Sequence, residues 1–238
     1  MSGGDGAVAE SPAGVPQVSL STVVGLIVVI ALVDVATNAV VTNGAQLPLK
    51  LVIVAGLVAW ARWRAGFSWD QLGLGRTRLG AGLRLGALAA LAVAAFVTLA
   101  VALPATRSFF DNTSVNADSA ARQVLVPLLV IPLGTVLFEE TIFRGVLLAV
   151  LLARYPRRTA ILGSAAAFGL WHLVPAVSAA DGASTIAAIG TVAGTIAVTT
   201  VAGVLFAWLR MRSGSLLAPI LAHVATNSFA YVGAVVVD

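Results

Sequence analysis

The chain has 238 residues, 59% of them hydrophobic and only 10% charged, with a mean hydropathy of +1.00. Soluble domains carry about 25% charged residues, so this composition excludes an ordinary soluble protein. The formal net charge is +4, yet the basic residues fall in short clusters between apolar runs, the pattern of a membrane protein's loops rather than of a nucleic-acid surface.

Several apolar runs approach the roughly 20 residues that span a bilayer as a helix. Leu, Ala and Val dominate and strand alternation is absent, so helices rather than a barrel satisfy the backbone. The fold class expected is all-α, a polytopic bundle of about seven transmembrane helices (six to eight). With no cysteine, there is no disulfide framework, thiolate metal site or cysteine nucleophile.

In chain order, residues 1–20 are small and polar and lack a basic leader, so they read as a disordered tail and not a cleaved signal. Residues 21–238 form the membrane domain. Spans are expected at 21–41, 47–61, 84–104, 124–153, 159–175, 185–209 and 215–237. Between the second and third, "FSWDQLGLGRTRLGAGLRLG" alternates apolar anchors with arginines and suits a membrane-surface segment or a plain loop. The fourth span carries Pro127 and Pro132, so it tilts, kinks or enters in two pieces. "GTVAG", Gly190 to Gly194, is a small-xxx-small pattern whose default meaning is close helix packing. Arginines at 62, 64, 76, 78 and 84, at 154, 157 and 158, and at 210 and 212 mark the cytoplasmic loops. That puts the amino terminus inside and the carboxyl terminus outside. An integral membrane protein of a bacterial inner membrane is expected, in keeping with 13 Arg against one Lys.

Within the spans stand Asp34, Glu139, Glu140, Arg144, His172 and His223, the last two being the only histidines. Ionisable groups in the membrane face the bundle interior and mark functional sites. Counted at 1.5 Å per residue from the cytoplasmic arginines, Glu139, His172 and Asn227 lie about 22, 21 and 22 Å up, and His223 about 16 Å. Three helices thus bring polar groups to a shared level. Glu140 and Arg144, at i,i+4, have the spacing of a helical ion pair. Glu139 is rotated by about 100° and is left without that partner. Desolvation and the adjacent carboxylate both favour its taking a proton, the property of a general base. Phe168, i,i+4 to His172, either fixes the imidazole or simply packs. His223 and Asn227, again i,i+4, either stabilise an oxyanion or share a water. Asp34 either hydrogen-bonds within the bundle, the favoured reading, or lines a substrate path.

"EETIFR", "FGLWH" and "HVATN", in this order and within helices, fit the motifs EExxxR, FxxxH and HxxxN. The chain thereby resembles the CPBP family, which includes type II CAAX prenyl endopeptidases and bacteriocin-immunity (Abi) proteins. The resemblance covers about 124–232. It implies an intramembrane endopeptidase in which Glu139 activates a water with help from His172. His223 and Asn227 then stabilise the oxyanion, while Glu140 and Arg144 hold the helix geometry. The family is described both as glutamate-dependent and as metal-dependent. No cofactor is favoured, because HExxH is absent and Asn is a poor zinc ligand. A divalent metal such as zinc would use Glu139, His172 and His223. The partners implied are the lipid bilayer and a membrane protein or lipidated peptide as substrate, with no nucleic acid. The competing readings are a non-catalytic immunity or scaffold protein and a proton-coupled transporter. The transporter would more often show paired repeats, and none is present.

Overall fold

The computed structural model describes residues 14, 16–37, 46–111, 115 and 119–237. Most of these are helical, with no strand among them. The helices are α1 (Leu20–Val35), α2 (Gln46–Arg64), α3 (Arg76–Ala102), α4 (120–154), α5 (Arg157–Ala179), α6 (Thr185–Ser213) and α7 (Leu217–Val237). Each of the seven expected spans coincides with one of them. Among the described residues α2, α3, α5, α6 and α7 are long and apolar enough to cross a membrane. α1 is apolar but shorter, at 16 residues, and α4 carries the three charges at its centre. The expected tail lies mostly outside the described residues, as does 38–41, the end of the first expected span.

α1 starts where Ser19 caps it, its hydroxyl accepting the Thr22 N–H at 3.1 Å. α3 begins at Arg76, eight residues before the expected boundary. Its first turns are drawn into the bundle by small residues: a Cβ on Gly86 would sit 3.0 Å from the Cα of Ala218 in α7. Gly203 does the same between α6 and α5, where a Cβ would sit 3.0 Å from the Cα of Ala165. Close backbone approach of this kind is how membrane helices gain packing without a hydrophobic driving force. At Gly190 and Gly194 the expected close packing is not found, for among the described residues no atom of another helix lies within 4 Å of a Cβ built on either. α6 meets α5 further along, where Gly169 abuts Thr200 and Gly203 abuts Ala165, so the earlier pair faces outward.

α4 is one continuous run, not two pieces. It absorbs its prolines by widening to π register over Val126–Val136, and the Leu137 N–H reaches back five residues to the Pro132 carbonyl. A second wide stretch, Thr141–Leu147, closes with the Leu148 N–H on the Phe143 carbonyl. Such insertions gather at functional sites, and here they flank Leu137–Glu140 on both sides. α5 changes direction at His172, whose φ of −88° and ψ of 5° end one helical piece and begin the next. Pro175, with no N–H to give, stands in the first turn of the second piece. α6 stops at Gly214, whose φ of +72° belongs to the left-handed region.

The buried core centres on α4, with Phe138, Ile142, Phe143, Val146 and Leu147 each no more than 2% exposed. α5, α6 and α7 pack around it, and Ser164 of α5 donates to the Phe143 carbonyl at 2.9 Å. The segment between α2 and α3 folds beneath the bundle. Arg210 of α6 donates to the carbonyls of Asp70 and Gln71 at 3.2 and 2.9 Å, and the Leu216 N–H bonds the Gly73 carbonyl.

Candidate active site

The three motifs meet where α4, α5, α6 and α7 converge. Glu140 is fully buried and Arg144 is 1% exposed. Their ion pair is formed, with Arg144 Nη1 donating to Glu140 Oε1 at 2.9 Å. The same oxygen accepts the Nδ1–H of His223 at 2.8 Å, tying α4 to α7. Arg144 also donates from Nη2 to the Gly203 carbonyl at 3.3 Å. Its guanidinium lies 4.1 Å from the Phe168 ring centroid and 5.2 Å from that of Phe206. A buried charge is tolerable only when paired and hydrogen-bonded, and Arg144 is paired from three helices.

Glu139 turns away from that pair, as its rotation on the helix requires, and is 6% exposed. Its Oε1 accepts the indole N–H of Trp171 at 3.2 Å. Its Oε2 is buried and has no hydrogen-bond partner among the described residues, and lies 3.8 Å from His223 Nε2. Asn227 Nδ2 approaches the same imidazole nitrogen at 3.3 Å. Glu139, His223 and Asn227 therefore share one small polar locus.

Phe168 does more than fill space. Its carbonyl accepts the Nδ1–H of His172 at 2.8 Å, and its ring meets the His172 ring edge-on at 4.8 Å. The same ring meets His223 at 5.7 Å, while Phe206 stacks on His223 at 4.7 Å. Both imidazoles are thus fixed by an aromatic wall and by a hydrogen bond at Nδ1, which leaves Nε2 as the ring nitrogen available for other contacts. His172 is half-buried, and no hydrogen bond or ion pair joins it to either glutamate. Glu139 Oε2 and the two Nε2 atoms are the kinds of donor a catalytic zinc takes. Among the described residues, however, no three His, Asp or Glu side chains come together closely enough to hold a metal ion.

Two neighbours of Glu139 lie outside the motif residues. Trp171 is one, masked by its apolar character and by a partner 32 residues away. The other is Lys50 of α2, the chain's one lysine. Its ammonium stands 5.3 Å from the Phe138 ring centroid and within electrostatic reach of Glu139. The signal for it was present: Lys50 precedes Arg64 by 14 residues, about 21 Å of helix, the same level as Glu139. Asp34 lines a cavity of about 150 Å³ between α1 and α5, on whose wall Trp171 also stands.

Residues 121–229 match the family model described as type II CAAX prenyl endopeptidase Rce1-like. No curated protein and no solved structure matches the chain. The matched segment runs from α4 into α7 and contains all three motifs together with Trp171. Residues 121–229 of this integral membrane protein belong to the Rce1-like type II CAAX prenyl endopeptidase family.

Proposed function

We propose that the protein hydrolyses a peptide bond of a membrane-associated protein or lipidated peptide, with Glu139 as general base. The observation that carries this reading is the Oε2 atom of Glu139: like Glu140 Oε2 it is buried with no hydrogen-bond partner among the described residues, and it lies 3.8 Å from His223 Nε2, the atom that Asn227 also approaches. A buried acceptor left unpaired carries a desolvation cost, and a base that is to take a proton from water needs such an atom.

In this reading a water lies between Glu139 Oε2 and Nε2 of His172. Glu139 accepts its proton as the oxygen attacks the peptide carbonyl carbon. The carbonyl π pair moves onto oxygen, and that developing charge is met by one N–H of Asn227 Nδ2, whose other N–H is accepted and oriented by His223 Nε2. Donors fixed before the reaction stabilise an oxyanion without reorganising, and each contributes about 3 kcal/mol in comparable sites. When the intermediate collapses the C–N bond breaks, and the proton held by Glu139 passes to the departing amine. Glu140 and Arg144 hold His223 and the helix crossing and do not touch the substrate. The wide turns on both sides of Leu137–Glu140 let the two adjacent glutamates face different partners.

Glutamate dependence without a metal is part of the proposal, as is a bacterial inner membrane with the amino terminus in the cytoplasm. The test uses the purified protein in detergent with a carboxyl-terminal peptide farnesylated on its Cys-aliphatic-aliphatic-X cysteine, the products being read by mass spectrometry. Wild type cleaves, Glu139→Gln does not, and prior treatment with a zinc chelator leaves the rate unchanged. Cleavage by Glu139→Gln at the wild-type rate contradicts the assignment of the base. Loss of activity on chelation, restored by zinc, contradicts the metal-free reading.

A further inference from the structure

We infer that Trp171 is a positioning residue for Glu139, an inference that rests on the peptidase reading above. Two oxygens of one carboxylate are equivalent until something distinguishes them. Here the indole N–H of Trp171 engages Oε1 at 3.2 Å, and Oε2 is left as the unpaired atom directed toward His223 and Asn227. The bond thereby selects which oxygen takes the proton and fixes the rotation of the carboxylate about its terminal torsion, which is otherwise broad.

The indole is itself held rigidly. It is 5% exposed, packs edge-on against Phe143 with centroids 5.6 Å apart, and tilts against Phe138 at 5.8 Å. Phe143 continues the chain of ring contacts to Phe168 at 5.3 Å, and Phe168 touches both imidazoles. Glu139, His172 and His223 are therefore registered against one aromatic array to which Trp171 contributes the only polar atom. Its place beside His172, at the end of the first piece of α5, links the orientation of the base to that of the imidazole. An indole that served packing alone would have no need to spend its single donor on a carboxylate. A buried indole N–H does need some partner, however, so experiment must separate the two roles.

Trp171→Phe keeps an aromatic ring, smaller than the indole, and removes the donor. A lost hydrogen bond to a charged group corresponds to about a tenfold fall or more. The expected result with the farnesylated peptide is a kcat lower by about that factor, with KM unchanged and the variant still folded. A rise in KM with kcat intact, or wild-type kinetics, overturns the inference while leaving the peptidase reading in place. Absence of cleavage by wild type overturns both. A measurement independent of the variant's folding uses the indole resonances of the five tryptophans in a micelle-bound ¹⁵N-labelled sample. Glu139→Gln should move one of the five upfield, and a spectrum in which none moves contradicts the bond.

Discussion

Replacing Arg144 with leucine removes the guanidinium in salt-bridge contact with Glu140. The pair has no side-chain exposure on either partner and an N···O distance of 2.9 Å. Breaking a buried pair by removing one partner costs about 3–5 kcal/mol, because the remaining charge is stranded. Two details of the site adjust that figure. The His223 Nδ1–H still reaches Glu140 at 2.8 Å, which offsets part of the penalty, whereas the Gly203 carbonyl and the Phe168 face lose their donor and cation. The expected cost is therefore at the lower end, about 3 kcal/mol, or roughly 6–12 °C in midpoint for a chain of this size. The assay is thermal unfolding in detergent followed by far-ultraviolet circular dichroism. A double-mutant cycle with Glu140→Gln isolates the pair, and the double variant should be more stable than the sum of the single losses requires. A midpoint shift within error for Arg144→Leu, or strict additivity in the cycle, would refute the claim that this pair organises the site.

Three further outcomes follow from other contacts. Gly86→Leu should destabilise by about 1–3 kcal/mol through overpacking, since its Cβ meets the backbone of Ala218 at 3.0 Å; the same unfolding assay checks it, with Gly190→Leu as the neutral control. Asn227→Ala should lower kcat on the farnesylated peptide by about 100-fold with little change in midpoint, because its amide is only half-buried. Lys50→Met should leave the midpoint unchanged or raise it, since a half-buried ammonium without a salt bridge among the described residues is costly in a span. Lys50→Met should also reduce cleavage, because that cation lies within electrostatic reach of Glu139.

Much of the site was legible before the fold. The i,i+4 spacing of Glu140 and Arg144 implies their pairing from helix geometry alone, and the count from flanking arginines brought α4, α5 and α7 to one level. Other features depend on how helices rotate about their axes, which spacing does not encode. His223 was read beside Asn227, yet its Nδ1 is given to Glu140, a contact between residues 83 positions apart. The early start of α3 escaped notice because arginines suggested a surface segment, while Gly82 and Gly86 drew the helix against α7. Pro127 and Pro132 signalled a disturbance in α4, but not that widened turns would absorb it. Trp171 and Lys50 are not marked by the motifs: the indole carries no charge to set it apart in an apolar span, and Lys50 stands alone in the second span, far along the chain from the three motifs.

The central claim is that Glu139 drives proteolysis within the membrane. Its most direct test compares the amino termini of membrane proteins from cells expressing wild type or Glu139→Gln at equal levels. Termini that arise only with wild type are predicted, and they would identify the substrate. An identical set of termini, with both proteins folded and equally abundant, would contradict the account.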